Sequence, residues 1–378
     1  MCRSILIIQE RTELKSVVHL ITTISRGGAE NQLKVLVREQ IKSGFKVKVF
    51  YLKGIPELRQ ELQIAGAEVI DMLAEKNPLS QIRALKHFFK NYHGVVHAHL
   101  PRAEVLAALT SPRDSLVVSR HNSEPFFPIA PAFVSRILSR YVESKASRVV
   151  AISEAVKKYL LNTGEILTSS KIVVVYYGFE VLLTKMTTTT NQRVSTDFVV
   201  GTVGRLAHQK DYPTLFAAFK KFVARNHSSK LLIVGDGSLK EQLVELARKL
   251  GIEEDIIWLG RTSEVFSIMK QMDLFILASK YEGFGLVLLE AFQAGIPVVA
   301  ANNSAIPEVL GMNSDNLFRT GDAEDLYTKM EEFKSEPKRS QLIEAQFARL
   351  SMFSPESMIA KMNLVYDSIL ARLYKTSH

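Results

Sequence analysis

The sequence predicts an α/β protein with two open parallel sheets, and three observations carry that prediction. Short β-branched apolar runs alternate with helix-length amphipathic segments, the pattern of strands joined by crossover helices. At 378 residues the chain is long enough for two or three domains, each with its own core. Near the middle, four threonines at 187 to 190 followed by Asn191 and Gln192 form a polar stretch that no core demands.

In the first half the candidate strands are 17–21, 46–51, 94–97, 115–119, 148–152 and 171–176. In the second they are 198–203, 231–234, 256–259, 274–278 and 297–300. After the first strand, Gly27 and Gly28 open a helical run through Leu33, Val35, Leu36 and Ile41. The first strand of the second half is followed by a helix from near Tyr212. The division is therefore a Rossmann-like domain over 1–180, a linker over 181–196, and a second Rossmann-like domain over 197–354. An amphipathic helix over 355–378 lies beyond the second sheet and is placed to cross back onto the first domain.

Composition excludes several classes. Apolar residues make up 47% and charged residues 23%, a globular balance that fits neither a disordered nor a low-complexity chain. The single cysteine, Cys2, rules out an intrachain disulfide and a cysteine-cluster zinc site, in keeping with a reducing, cytoplasmic setting. The apolar run at residues 5–8 is too short for a secretory core, and no uncharged run approaches the roughly 18 residues of a membrane span. The net charge of +9 sits entirely in residues 1–180, where 25 Lys and Arg face 16 Asp and Glu. Those basic stretches lack interleaved stacking aromatics and base-reading motifs, so nucleic acid is not the expected partner. An anionic membrane face or a phosphorylated acceptor fits better.

Ligands of open α/β sheets bind outside the carboxyl ends of the strands, which directs attention to the loops there. Gly28 lies at a helix start, where free N–H groups and a positive dipole end favour an anion, although a plain tight turn accounts for it equally. Arg205 and Lys210 follow a strand on one loop after Gly204, placed to converge on a diphosphate or to form a solvated basic loop. Glu290 is the only charged residue between Gly283 and Ala301, so it needs donors from protein or ligand. Glu282 precedes Gly283-Phe284-Gly285-Leu286, whose backbone amides suit phosphate or sugar oxygens. Gly235 belongs to a Gly-Asp-Gly turn, weak by itself. His121 sits at a strand's carboxyl edge as a substrate partner or a satisfied strand-end histidine, and His97 and His99 share a side but show no third metal ligand.

Taken in order, Arg26-Gly27-Gly28-Ala29-Glu30, Val96-His97-Ala98-His99, Ala151-Ile152-Ser153-Glu154, Gly204-Arg205 with Lys210, Val234-Gly235-Asp236-Gly237, Glu282 through Glu290, and Ala294-Gly295-Ile296-Pro297-Val298-Val299 resemble the family 4 retaining glycosyltransferases of the GT-B fold. The resemblance implies two Rossmann-like domains whose parallel sheets face a central cleft, the second holding a nucleotide-sugar donor and the first the acceptor. It implies a hexosyl- or N-acetylhexosaminyl-transferase that retains anomeric configuration and needs no metal or other cofactor. By motif, Arg205 and Lys210 would neutralise the leaving diphosphate, Glu282 would contact the donor sugar, Glu290 the ribose, and His121 would stand near the reacting sugar. Backbone at Gly28, Phe284, Gly285 and Leu286 would support phosphate or sugar oxygens. One departure is Tyr176-Tyr177-Gly178-Phe179-Glu180, where many relatives carry Asn-Gly before an acidic residue.

UDP is the expected nucleotide by family frequency, and the acceptor is expected to be a glycan or a lipid-linked sugar at the cytoplasmic membrane face. Two segments offer basic-apolar contact surfaces, 81–91 with Ile82, Leu85 and Phe89, and 124–141 with Phe126, Phe127, Phe133, Arg136 and Arg140; buried core is the commoner fate of such stripes. Two other functions share the fold: a nucleotide-sugar epimerase, which would act without an acceptor, and a non-catalytic binding protein, against which the intact Arg205, Lys210, Glu282 and Glu290 set argues.

Overall fold

The computed structural model describes residues 15–181 and 198–376. The predicted linker, apart from Val181, and residues 1–14 lie outside them. Two compact units result, one taking in the chain up to Glu180 together with Phe353 onward, the other Val181–Met352.

The first unit begins with β1 (Ser16–Ile21), buried at every position but its first. Helix α1 (Gly28–Lys42) follows, with Leu33, Leu36 and Val37 turned into the core. Then come β2 (Lys46–Tyr51), α2 (Arg59–Ile64), β3 (Glu68–Ile70) and α3 (Pro78–Phe89). Asn77 caps α3 by accepting from Ser80 N at 3.0 Å, and Pro78 takes the first helical position, where a missing N–H costs nothing. Next are β4 (Val95–His99), α4 (Pro101–Thr110), β5 (Leu116–Arg120), α5 (Ala132–Lys145), β6 (Arg148–Ala151), α6 (Glu154–Asn162) and β7 (Ile172–Val174). The sheet order is β3-β2-β1-β4-β5-β6-β7, all parallel. The order reverses between β1 and β4, the switch point where such sheets open a crevice.

The second unit repeats the plan with β8 (Val199–Val203), α7 (Tyr212–Arg225), β9 (Lys230–Val234), α8 (Lys240–Leu250), β10 (Ile256–Gly260), α9 (Val265–Met269), β11 (Leu274–Leu277) and α10 (Leu286–Gln293). It closes with β12 (Val298–Ala301), α11 (Ile306–Leu310), β13 (Leu317–Phe318), α12 (Ala323–Glu332) and α13 (Glu336–Leu350). Its sheet runs β10-β9-β8-β11-β12-β13, again parallel throughout.

The last helix, α14 (Pro355–Thr376), belongs to the first unit. It buries Met358, Ile359, Met362, Val365, Tyr366 and Ile369 among the core residues of β1, α1 and β2. Two sheet-edge strands, β3 and β13, went unpredicted because three and two residues carry no readable alternation. The apolar stripe of 81–91 is not a membrane face: Leu85 and Phe89 are core residues, and in the 124–141 stretch Phe126 is buried as well.

Ile369 is fully buried, so Ile369→Ala should remove about 2–5 kcal/mol from the first unit through lost transfer energy and a residual cavity. Denaturant unfolding read by far-UV circular dichroism checks this, while the fluorescence of Trp258, which lies in the second unit, should keep its midpoint.

Candidate active site

In the second unit the predicted residues fall at the carboxyl ends of neighbouring strands. Gly204 and Arg205 directly follow β8, and Gly235 directly follows β9; with Asp236, Gly237, Arg261 and Thr262 they line a cavity of about 480 Å³. The two loops meet closely enough to require glycine. Gly235 has φ of +140°, and a Cβ there would lie 1.9 Å from the carbonyl oxygen of Gly204.

Lys210 ends a 3-10 turn and Asp211, left-handed at φ +48°, redirects the chain into α7. The Lys210 ammonium donates to Glu282 Oε1 at 2.6 Å, and the Ser279 hydroxyl donates to the same oxygen at 2.6 Å. The backbone N–H of Glu282 donates to Ser304 Oγ at 2.8 Å, so side chain and main chain are both held. A Cβ on Gly204 would lie 3.0 Å from Lys210 Cε, which places the lysine stem against the Gly204-Arg205 turn. Gly285, at φ +89°, caps α10, with Phe284 buried and Leu286 as the first helical residue. Burial raises the carboxyl of Glu290, one turn into α10, above the usual range against the pull of Lys210. Lys210 thus serves two carboxylates, one by contact and one through its field. Arg205 is exposed and borders the cavity instead of joining that pair.

Sequence reasoning missed Arg261, Ser279 and Ser304. Arg261 directly follows β10, so the rule that found Arg205 applied to it equally. The two serines carry no signal of their own, since their partners are set by the meeting of distant loops.

In the first unit His121 directly follows β5 and heads a chain of buried imidazoles. Its Nδ1 lies 2.6 Å from the Tyr177 hydroxyl and its Nε2 3.2 Å from His99 Nδ1. His99 Nε2 lies 2.9 Å from His19 Nδ1, and His19 Nε2 lies 2.8 Å from Gln40 Oε1. Gln40 Nε2 donates to the Tyr366 hydroxyl at 2.8 Å, which lies 2.6 Å from His97 Nδ1, while His97 Nε2 reaches Ser119 Oγ at 2.7 Å. His19 is the third histidine that sequence reasoning did not find. Its nitrogens and those of His97 and His99 group within 4.8 Å, a set able to hold a metal ion, yet all six ring nitrogens already have hydrogen-bond partners. Beside His121, Arg120 pairs with Glu104 at 2.8 Å and Glu165 at 3.4 Å, at the edge of a cavity of about 130 Å³. Gly28 opens α1 with open space where a Cβ would stand.

Comparison with known proteins identifies the family. Residues 26–181 match the family described as Glycosyltransferase Family 4, and residues 188–349 match Glycosyl transferases group 1. The Staphylococcus aureus capsular polysaccharide biosynthesis glycosyltransferase CapM is 25% identical over 210 residues, 53% of this chain and 55% of that protein. The N-acetyl-alpha-D-glucosaminyl L-malate synthase of Bacillus anthracis is 40% identical over 93 residues, 25% of this chain and 24% of that protein. The crystal structure of Anabaena HepE in complex with UDP aligns at a TM-score of 0.78 and 22% identity, covering 93% of this chain and 100% of that one. Two parallel-sheet Rossmann-like units of this kind define the GT-B fold. The chain belongs to the glycosyltransferases, of the family 4 and group 1 type.

Burial lowers the imidazoles of His19 and His121 to about 4 and takes His97 and His99 well below the ordinary range. Between about pH 4 and 6.5 the unfolded chain therefore binds protons at these rings that the folded chain does not, so stability rises with pH and is lost on acidification. Each of the two rings at about 4 contributes a loss on the order of 3 kcal/mol. Glu104, raised to about 7 by burial against Arg120, acts with the opposite sign between 4.5 and 7, because there the folded state holds the extra proton. Denaturant titrations at stepped pH should show the first unit losing stability from pH 6.5 downward, more steeply in Glu104→Gln than in the wild type.

Proposed function

We propose that the chain is a retaining glycosyltransferase that moves a hexosyl or N-acetylhexosaminyl group from a UDP-sugar to a glycan or lipid-linked acceptor, as in surface polysaccharide or glycoconjugate synthesis. The carrying observation is the Lys210–Glu282 pair, set against the Gly204-Arg205 turn at the carboxyl end of β8. Breaking the bond between the anomeric carbon and the diphosphate leaves negative charge on the departing oxygen. Arg205, Lys210 and the backbone amides at the start of α10 meet that charge, in place of a metal ion, and stabilise the transition state more than the bound donor. Glu282 Oε1 takes the Lys210 and Ser279 donors, and its Oε2 is the oxygen offered to a donor-sugar hydroxyl. A carboxylate so engaged positions its partners and is poorly suited to attack carbon. Glu290 takes the ribose, and His121 stands at the acceptor side with the cavity beside Arg120. The nucleotide reading is supported by HepE, solved with UDP and with UDP-glucose, and the polysaccharide reading by CapM.

Calorimetric titration of UDP, GDP and ADP tests the donor site. UDP should bind the wild type, and the Arg205→Ala, Lys210→Ala double variant should lose about 2 kcal/mol or more, roughly thirtyfold in affinity, from missing charge-assisted contacts. Equal binding to both proteins would place the donor elsewhere.

The acceptor side of this reading includes an anionic membrane face. No helix among the described residues is long and apolar enough to cross a membrane. On α5, however, Phe133 and Ile137 stand exposed at 65% and 61%, Arg136 and Arg140 are exposed on the same helix, and Ile129 projects from the loop before it. Apolar side chains rimmed by cations suit an anionic lipid surface. Flotation should show more protein on anionic than on neutral liposomes, with the excess lost in Phe133→Ser, Ile137→Ser; equal binding to both liposomes would remove the membrane from the proposal.

A further inference from the structure

Glu282 is held by its side chain and by its main chain, and the main-chain hold runs through a residue with a strained backbone. Ser304 has φ of +43°, and it and Asp211 are the two non-glycine residues with positive φ among the described residues of the second unit. Both border the Lys210–Glu282 pair: Asp211 follows Lys210 in the chain, and Ser304 Oγ accepts the Glu282 N–H at 2.8 Å. Glycine adopts a left-handed backbone readily, whereas a residue with a side chain stays there only where its surroundings hold it. The Ser304 hydroxyl is the group that a glycine would lack.

That hydroxyl belongs to a closed ring of hydrogen bonds joining the loop after β11 to the loop after β12. The Glu282 N–H donates to Ser304 Oγ, and Ser304 Oγ donates to Asn303 Oδ1 at 2.8 Å. Asn303 Nδ2 donates to the Ser279 carbonyl at 2.9 Å, and Ser279 Oγ donates to Glu282 Oε1 at 2.6 Å. The order of donors cannot reverse. A backbone N–H only donates and a backbone carbonyl only accepts, so Asn303 must turn its nitrogen to Ser279 and its oxygen to Ser304. Asn303 Nδ2 also donates to Thr320 Oγ1 at 2.7 Å, and the Asn302 N–H donates to the Phe318 carbonyl at 2.7 Å, which brace the β12 loop against the end of β13. Ser304 thus anchors the main chain of Glu282 to a braced loop while Lys210 and Ser279 hold Oε1. With the main chain and one oxygen fixed, the direction of Oε2 is fixed as well.

We propose that Ser304 is a positioning residue for the donor sugar: by anchoring the Glu282 main chain it aims Oε2 at a sugar hydroxyl, so the sugar part of donor binding depends on it and the nucleotide part does not. The inference rests on the reading of Glu282 as the group that meets the donor sugar. The nucleotide part is spared because Arg205, Gly235 and Arg261 line their cavity from the ends of β8, β9 and β10, whereas the ring braces the loops after β11 and β12.

The test is calorimetric titration of the full chain at neutral pH with UDP, UDP-glucose, UDP-galactose and UDP-N-acetylglucosamine, in the wild type, Ser304→Gly and Ser304→Ala. Both variants remove the hydroxyl. Glycine eases the left-handed backbone and alanine keeps its strain, so an effect that the two share belongs to the hydroxyl. In each, the dissociation constant for the sugar nucleotide that binds the wild type should rise about tenfold, the effect of one misaligned hydrogen bond, while that for UDP stays within about twofold. Ser304→Gly should unfold no earlier than the wild type on heating, which separates the loss from a general loosening and keeps the test open if Ser304→Ala does not fold. Unchanged affinity for the sugar nucleotides, an equal loss for UDP and the sugar nucleotides, a loss in only one of two folded variants, or a wild type that binds UDP but none of the three sugar nucleotides would each overturn the proposal. A wild type that binds none of the four ligands would defeat the donor-site reading itself. UDP binding with the sugar contribution unchanged in both variants would defeat this inference alone.

Discussion

A parallel sheet sends the carboxyl ends of all its strands to one edge, and the chemistry of this protein is arranged by that constraint. Gly28 and His121 follow β1 and β5 in the first sheet, and Arg205, Gly235, Arg261 and Glu282 follow β8, β9, β10 and β11 in the second. None of them is adjacent to its eventual neighbours in sequence. Lys210 and Glu282 are 72 residues apart and meet at 2.6 Å because β8 and β11 are hydrogen-bonded neighbours. Crossover helices supply the spacing and strand pairing supplies the proximity.

The same pairing explains an unusual core. A parallel sheet covered on both faces ordinarily carries only apolar side chains, yet β1 and β4 place His19, His97 and His99 inside it. Register makes this tolerable: His19 pairs with His97, and Ile21 with His99, so the imidazoles stack on one face at ring separations of 4.2 to 5.3 Å. Unpaired, each buried ring would cost on the order of 1–3 kcal/mol; paired in one chain, each satisfies the next. A polar network of this kind rigidifies the fold only while all of it is present, which is why Gln40 on α1 and Tyr366 on α14, which join its two histidine branches, matter as much as the rings.

How much of this was legible follows from where each signal resides. Long β-branched runs announced the strands, and glycine pairs and lone charges at strand ends announced the loops, because both are properties of contiguous residues. His19 was hidden: in the middle of an apolar strand it reads as one polar interruption, and only the β1–β4 register joins it to His97 and His99. The stripes of 81–91 and 124–141 look alike in sequence, yet α3 buries Leu85 and Phe89 while α5 exposes Phe133 and Ile137. Amphipathic spacing shows that a helix has an apolar face, but what covers the face is decided by neighbours that the local sequence does not contain.

Charge arithmetic at Lys210 separates the work of the two predicted cations. With Glu282 and Glu290 both ionised, the trio would carry a net negative charge and repel a diphosphate. Burial raises the Glu290 carboxyl above its usual range, the direction that lessens this charge, while Lys210 contacts Glu282 directly. A neutral pair exerts little pull at a distance, so on the proposed reading attraction of an incoming diphosphate falls to the exposed Arg205 and to Arg261, which line the same cavity. Lys210 matters later. As charge builds on a departing diphosphate, its ammonium can shift weight from Glu282 to the phosphate while Ser279 keeps a hydrogen bond on the carboxylate. On the proposed reading, capture belongs to the arginines and transition-state stabilisation to Lys210, and the carboxylate beside it keeps that charge from being spent on the ground state.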